Sequence, residues 1–169
     1  MEAIEVIHRR RSIRKYTQQA VPSNLVKELV RSAMVAPSAS NAQDWQFVVI
    51  NDSAILQKCA AHLKYGAFLK DAALGILVCG DTSLSKSEGY WPQNCSAATQ
   101  NLLLAATALG LGACWLGVFP REERVAALRQ ALAIPDHVIP MAMISIGYPG
   151  EEKPPNDRYD EAKVHWNKW

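Results

Sequence analysis

Apolar positions recur at two different spacings along this chain, and these spacings predict helices and strands in mixed order. In residues 23–34 and 122–132 an apolar residue returns every three or four positions, which is typical of a helix with one buried face. Residues 2–10 predict a further short helix, and Ser53 is the expected N-cap of another. Pro37 ends the helix of residues 23–34, because the residue before a proline is pushed out of the α region.

Short apolar runs predict four strands inside the protein. They are residues 46–50, 73–79, 113–118 and 141–147. Residues 94–109 are apolar on nearly every face, so we expect a central helix that is buried on most sides and is ended by Gly110 and Gly112. Residues 81–93 are polar without a period, and they predict a loop.

The last segment, residues 148–169, has a different character. Its three prolines oppose regular structure, yet Tyr159, Trp166 and Trp169 are large aromatic residues. A free tail rarely keeps such residues, so we expect this tail to lie on a surface. That surface belongs either to a neighbouring subunit or to the tail's own domain.

Composition and charge narrow the class of protein. With 49% hydrophobic and 20% charged residues, residues 1–169 are expected to form one folded domain. The net charge of +2 gives no global field that would attract nucleic acid. The chain shows no secretion signal and no apolar run of about 20 residues, which predicts a cytoplasmic protein without membrane association.

Cysteine and histidine carry no catalytic or metal-binding pattern. The four cysteines form no C-x-x-C pair and lie in apolar stretches, so buried, reduced thiols are expected. The four histidines lack ligand spacing, and we expect no metal site. The Gly-x-Gly of residues 110–112 follows a helix instead of opening one, the reverse of a dinucleotide-binding turn. With no G-x-S-x-G or P-loop motif either, the chemistry is left to a cofactor.

Positive charge is concentrated near the N-terminus. Six of the 18 lysine and arginine residues lie in residues 9–27. Guanidinium groups bind phosphate oxygens in pairs and stay charged at any working pH, so Arg10, Ser12 and Arg14 are the expected side-chain ligands of a phosphate. Arg11 has a mixed role, because neighbouring residues of an extended segment point in opposite directions. A solvated basic stretch at the end of a helix is the alternative.

A second polar segment, residues 36–45, follows a helix and precedes a strand. It offers donors and acceptors from Ser38, Ser40, Asn41 and Gln43, which suit the edge of a polar heteroaromatic ring. A turn that satisfies its own backbone is the alternative. A phosphate site and a ring site in one chain indicate a nucleotide-like cofactor, and FMN is the most economical candidate.

The order of these segments resembles that of the FMN-dependent nitroreductases. The resemblance rests on residues 10–16, 36–47, 95–106, 109–117 and 146–149, followed by a tail that ends in HWNKW. It implies an α+β sandwich with a central, mostly antiparallel sheet flanked by helices. It also implies an intertwined homodimer with FMN at the interface, in which the tail packs on the partner subunit.

The resemblance also assigns binding residues. Those for the phosphate and ring edge are Arg10, Arg11, Ser12 and Arg14, and those that line the ring are Pro37, Ser38, Ser40, Asn41 and Gln43. Those that lie against the flavin are Trp115, Leu116 and Gly117. A basic residue of the tail completes the phosphate site, Arg158 being the better match and Lys153 the reserve. No side chain receives a catalytic role, because the chemistry belongs to flavin N5.

The implied activity is a ping-pong oxidoreduction with NAD(P)H as co-substrate. NAD(P)H reduces FMN, and the flavin then reduces a nitroaromatic, a quinone or a similar acceptor. The alternatives are a module that binds and stores FMN, and a dehalogenase or flavin-fragmenting enzyme on the same scaffold. Asp44 departs from the family, which commonly has proline at this position. Its carboxyl either tunes the preference for substrate charge or faces solvent.

Overall fold

The computed structural model describes residues 2–169; residue 1, the first of the expected domain, lies outside the described part. The helices are α1 (Ala3–Arg9), α2 (Ser23–Met34), α3 (Ser53–Ala61), α4 (Trp91–Ala108) and α5 (Glu122–Leu132). The strands are β1 (Trp45–Ile50), β2 (Leu74–Asp81), β3 (Gly112–Gly117) and β4 (Val138–Gly147). Short 3₁₀ turns occupy Ala39–Asn41, Ala67–Asp71 and Glu161–Lys163. Helices and strands interleave as the hydrophobic spacing predicts.

The four strands form a sheet in the order β1-β2-β4-β3, and every neighbouring pair is antiparallel. The register aligns Phe47 with Val78, Val78 with Ala142, and Ala142 with Gly117. Strands β1 and β3 are therefore the two outer strands. Beside β3, Ser12 forms a single parallel bridge with that strand. The prediction of an α+β fold with a mostly antiparallel sheet is confirmed.

Helices cover both faces of the sheet. Successive residues of a strand point to opposite faces. Ile76 therefore lies in one core with α2 and α4, while Leu77 lies in a second core with α3 and α5. Leu102 of α4 and Leu128 of α5 are fully buried, one in each core. The architecture is the predicted sandwich.

Several element ends differ from the prediction. The N-cap of α3 is Asp52 and not Ser53, because the carboxylate of Asp52 accepts hydrogen bonds from the backbone N–H groups two and three residues later, at 2.8 and 3.1 Å. Helix α4 begins at Trp91, three residues before the predicted start at residue 94, because the first helical turn tolerates Pro92. Val138 begins β4, where the end of β2 provides a partner. Gly112, expected to end α4, begins β3.

Helix α4 carries both apolar and polar residues into the first core. Trp91 in its first turn contacts β2 at Gly80, where an added side chain would collide with the indole ring. One turn later Asn94 is only 4% exposed, although its side chain is polar. Within residues 2–169, no helix combines the length and the apolar character that a membrane crossing requires.

Candidate functional site

The basic segment, residues 9–16, leaves α1 and runs beside β3. Ile13 N donates a hydrogen bond to Ala113 O (3.0 Å), and the Ile13 side chain is buried. The hydroxyl of Tyr16 donates to Ile13 O (2.6 Å) and lies 2.7 Å from Ser145 Oγ. Burial raises the pKa of Tyr16 well above its usual range, so this hydroxyl stays protonated. The segment is thus fixed on the sheet.

Arg10 and Arg11 share a cavity with Arg158 from the tail, which we call the arginine cavity. Its volume is about 360 Å³, and Gln100 of α4 also lines it. Asp157 lies at the same cavity, yet none of the three guanidinium groups forms an ion pair with a carboxylate among residues 2–169. This donor set suits a dianionic phosphate.

Arg14 lies in a different cavity, the β3 cavity, of about 200 Å³. Trp115, Leu116 and Gly117 line it together with Phe68, whose ring centre is 5.8 Å from the guanidinium carbon of Arg14. A Cβ added to Gly117 would meet no atom within 4 Å, so the backbone here is open to a flat molecule. The structure therefore brings Arg14 to the predicted flavin-facing strand and away from the arginine cavity.

Lys153 has partners of its own. Its ammonium donates to Ser12 O (2.6 Å) and forms an ion pair with Glu151 (3.1 Å). The Glu151 carboxylate also accepts a hydrogen bond from Arg14 N (2.7 Å). Lys153 and Glu151 thus hold the backbone of the basic segment, whereas Arg158 lines the arginine cavity. This contrast favours Arg158 as the tail residue of a phosphate site.

These contacts predict an acid-dependent stability. The hydrogen bond from Arg14 N, together with Lys153, lowers the pKa of Glu151 from its ordinary value of 4.5. A carboxyl with a lowered pKa stabilises the folded state fully above its ordinary pKa, and this contribution is lost as pH falls through the folded-state pKa. We expect Glu151→Gln to lower the free energy of unfolding near neutral pH by less than about 1 kcal/mol, because the pair is partly solvated.

The same substitution is expected to flatten the fall in stability on acidification. Urea unfolding of wild type and Glu151→Gln between about pH 7 and about pH 3 measures both effects. Glu152→Gln, at the exposed neighbouring position, is the matched control and should behave like wild type. Equal acid sensitivity of wild type and Glu151→Gln would show that the contacts of Glu151 with Arg14 N and Lys153 do not contribute to this pH dependence.

The second polar segment contains a tight turn, residues 38–43, with an unusual backbone. Ser40, Asn41 and Gln43 have φ values of 54°, 49° and 52°, a left-handed conformation that costs a residue with a Cβ about 1–2 kcal/mol. Ser38 Oγ accepts a hydrogen bond from Gln43 N (3.0 Å), and Gln43 Nε2 donates to Asn41 Oδ1 (2.9 Å). The turn therefore satisfies part of its own backbone and still displays exposed amide and hydroxyl groups.

Asp44, the residue after this turn, has no exposed surface. Both of its carboxylate oxygens accept from Asn94 Nδ2, at 2.9 and 3.1 Å. Of the two alternatives for this acid, the one in which it faces solvent is therefore wrong, and a carboxyl without exposed surface cannot touch a substrate. The sequence motifs do not single out Asn94, which also accepts a hydrogen bond from Ala39 N (2.9 Å). No sequence signal separates Asn94 from the other polar residues of α4, among them Gln93, Gln100 and Asn101.

The 38–43 turn and the β3 cavity lie at opposite edges of the sheet. The turn leads into β1, whereas Gly117 ends β3. The register places Phe47 and Gly117 three interstrand spacings apart, which is about 14 Å. One chain therefore presents the turn and the β3 cavity as separate parts.

The tail is exposed, and an apolar groove is found elsewhere on the chain. All of residues 154–169 are exposed, and Trp166 and Trp169 are 85% and 99% exposed. The groove runs between α2 and the outer strand β1, has a volume of about 930 Å³ and is lined mainly by apolar side chains, among them Val30 and Val49. We call it the β1 groove.

Comparison with known proteins adds the family. The Nitroreductase family model matches residues 7–92 and 57–148. A Methanothermobacter thermautotrophicus protein, provisionally named NADH dehydrogenase/NAD(P)H nitroreductase, is 46% identical over 169 residues, which are 100% of this chain and 88% of that protein.

Solved structures agree with this match. A Parabacteroides distasonis protein with the same provisional name is 38% identical, with a TM-score of 0.95 over 99% of this chain and 98% of that one. A provisionally named nitroreductase of Desulfovibrio desulfuricans, solved in complex with FMN, is 32% identical, with a TM-score of 0.86 over 100% and 98% of the two chains. By sequence and by fold, the chain belongs to the nitroreductase family.

Proposed function

We propose that the protein is an FMN-dependent oxidoreductase that uses NAD(P)H to reduce a nitroaromatic, a quinone or a similar acceptor by a ping-pong mechanism. The arginine cavity carries this proposal, because Arg10, Arg11 and Arg158 line one space of about 360 Å³. The related D. desulfuricans structure contains FMN. The name of the M. thermautotrophicus relative includes NAD(P)H.

Each part of the structure binds one part of the cofactor in this proposal. The arginine cavity holds the phosphate; Ser12, which does not line this cavity, directly follows Arg11 in the basic segment. The β3 cavity, with Arg14 and the open backbone at Gly117, holds one side of the isoalloxazine ring. The 38–43 turn and the preceding Pro37 line the other side. The residues present fit the cofactor, since positively charged arginines lie at the phosphate and the amides of the 38–43 turn lie at the ring.

The complete site requires two copies of the chain. The turn leads into β1, and the β3 cavity lies at the opposite edge of the sheet, where Gly117 is about 14 Å from Phe47 of β1. We therefore assign the turn and the cavity that face one ring to different chains. A two-fold axis repeats every contact, so a homodimer has two equivalent sites. In each, the turn of one subunit meets the β3 cavity of its partner.

The tail of each subunit covers the β1 groove of its partner in this assembly. The groove contains exposed apolar side chains, with Met34 51%, Val35 74% and Val49 44% exposed. The tail supplies the exposed indoles of Trp166 and Trp169. An apolar groove and exposed aromatic residues on one chain are both removed from water when two copies exchange tails.

The side chains orient the reactants and supply electrostatics. Bound FMN would supply hydride transfer from NAD(P)H and to the acceptor, without an obligatory side-chain acid or base. Arg14 keeps a fixed positive charge at the β3 cavity, which favours a ligand that gains negative charge. Asn41 and Gln43 present amides whose positions the turn has already fixed, so little reorganisation is needed on binding.

A cytoplasmic location is part of the proposal. The four cysteines are free and buried, and burial raises the pKa of the Cys79 thiol to about 12. Such thiols remain protonated and unpaired in a reducing compartment.

An absorption spectrum with added FMN, followed by anaerobic addition of NADH or NADPH, tests the proposed function. We expect a yellow protein that is bleached by one of the nucleotides and recovers its colour with an acceptor from a panel of nitroaromatics and quinones. FMN uptake without bleaching would instead support the storage module. A protein that takes up no FMN would refute the proposal.

Two variants that damage different parts of the site test the proposed assembly. Arg14→Ala alters the β3 cavity and Asn41→Ala alters the turn. We expect Arg14→Ala to weaken FMN binding by about 1.5–3 kcal/mol, since it removes a hydrogen bond donated by a charged guanidinium group, and Asn41→Ala by about 1 kcal/mol. A mixed dimer of the two variants then has one wholly unmodified site, made from the β3 cavity of one chain and the turn of the other.

FMN titration of the purified mixed dimer measures how many of its sites bind with wild-type affinity. Wild-type affinity is expected at half of the sites, while each parent variant shows none at that affinity. If every site lies within one chain, each site of the mixed dimer carries one substitution and no site recovers.

A further inference from the structure

Asp44 and Asn94 form a buried polar pair that reaches the backbone of the 38–43 turn. Asn94 Nδ2 donates to both oxygens of Asp44, at 2.9 and 3.1 Å, and Asn94 Oδ1 accepts from Ala39 N at 2.9 Å. The two ends of one amide thus connect the carboxylate to the turn. The backbone of Asp44 is held as well, because its carbonyl accepts from Asp81 N of β2 (2.6 Å).

The free-energy cost of burying this pair indicates that it has a role other than stabilising the fold. Asp44 has no exposed surface, and no ion pair joins it to a basic side chain in the part of the chain that the structure describes. A buried carboxylate without a cationic partner is unfavourable, and apolar residues of similar volume would fill the same space at lower cost. What apolar residues would not supply is an acceptor for Ala39 N.

The carboxylate also determines which way the amide of Asn94 points. The amide could be turned by half a rotation, which exchanges its oxygen and nitrogen. A carboxylate is acceptor-only, so Asp44 is satisfied only when Nδ2 faces it. Oδ1 must then face Ala39 N. An asparagine at position 44 would accept either orientation.

We propose that Asp44 is a positioning residue of the cofactor site, which acts through Asn94 to hold the 38–43 turn in its left-handed form. Three residues of that turn have positive φ, and such backbone persists only where the surroundings impose it. The inference rests on the proposed function in one respect, that the turn faces the isoalloxazine ring. It explains an acid at this position without any contact between the acid and a substrate.

A charge exchange between the two positions tests this. Asn94→Asp places two carboxylates about 3 Å apart, so we expect FMN affinity to fall about tenfold or more and exchange of the Ala39 amide hydrogen to accelerate by a similar factor. The double variant Asp44→Asn/Asn94→Asp again pairs a donor with an acceptor and keeps an acceptor for Ala39 N. It is expected to recover most of both losses. A side chain that merely fills the core would show no such recovery.

The matched control is Thr99→Val, on the same helix. It removes a buried hydrogen bond, from Thr99 Oγ1 to Cys95 O (2.8 Å), that has no connection to the turn. We expect it to lower stability without changing FMN affinity or exchange at Ala39. Asp44→Asn alone is the milder variant if Asn94→Asp does not fold, and it should accelerate exchange at Ala39 by a smaller factor.

Amide exchange is measured by NMR on the FMN-free protein, and FMN affinity by fluorescence titration. No recovery in the double variant, or equal Ala39 exchange in wild type and Asp44→Asn, would overturn the inference. If wild type binds no FMN, the proposed function fails, while the exchange measurement still decides whether Asp44 positions the turn.

Discussion

Deletion of residues 160–169 is expected to convert the proposed homodimer into monomers and to weaken FMN binding by more than about a hundredfold. The segment carries Trp166 and Trp169, which are 85% and 99% exposed in the single chain. Burial of a large aromatic side chain in a partner contributes about 2 kcal/mol or more, and a symmetric exchange does so twice. The deletion keeps Arg158, so the phosphate ligands of the chain itself remain.

Analytical ultracentrifugation and FMN titration measure the two effects. The double variant Trp166→Ala/Trp169→Ala keeps the full length of the tail and separates the contribution of the indoles from that of the backbone. We expect it to dissociate more readily than wild type and to be flavin-free at concentrations where wild type is loaded. A truncated protein that stays dimeric with unchanged FMN affinity would place the tail on its own domain.

Gly112→Ala is the second substitution with a large expected effect. An added Cβ would lie 2.7 Å from Ile13 Cγ2 and 2.9 Å from Ile13 Cβ. Ile13 is buried and lies between Ser12 and Arg14, so relief of this clash has to move the basic segment away from β3. We expect the free energy of unfolding to fall by about 1–3 kcal/mol. FMN affinity should fall about tenfold, because the displaced arginines no longer converge on the ligand.

Gly110→Ala is the control for this steric argument. A Cβ at Gly110 would meet no atom within 4 Å, but its φ is 75°. The substitution therefore costs only the left-handed conformation, about 1–2 kcal/mol, and leaves the basic segment in place. Urea unfolding and FMN titration compare the two variants. If Gly110→Ala weakens FMN binding as strongly as Gly112→Ala, contact between β3 and Ile13 is not what positions the arginines.

The hydrophobic spacing predicted most helices and strands because burial of one face imposes a period on the residues that form it. Residues 122–132 are α5, and residues 23–34 are α2, within the predicted bounds. The ends of other helices and strands could not be predicted from hydrophobic spacing. β4 extends back to Val138 because β2 reaches far enough to pair with it, and this pairing joins residues more than fifty positions apart in the chain.

Residue chemistry predicted the candidate binding residues by type but not their grouping. Arg10 and Arg14 are four positions apart, yet they line different cavities, because Ile13 anchors the segment between them on β3. Arg158 joins Arg10 from the far end of the chain. The left-handed backbone of the 38–43 turn was not predicted either, since serine, asparagine and glutamine adopt it only where neighbours compensate its cost.

The amino-acid sequence alone is enough to predict the alternation of helices and strands, the concentration of positive charge near the N-terminus and the polar segment that follows α2. Each of these depends on local spacing and on the chemistry of neighbouring residues. Knowledge of the folded chain was needed to show that Asp44 is buried against Asn94, and that the turn and the β3 cavity lie at opposite edges of the sheet. Both depend on which strands pair and on which helix covers them, and these contacts join residues that are distant in the chain.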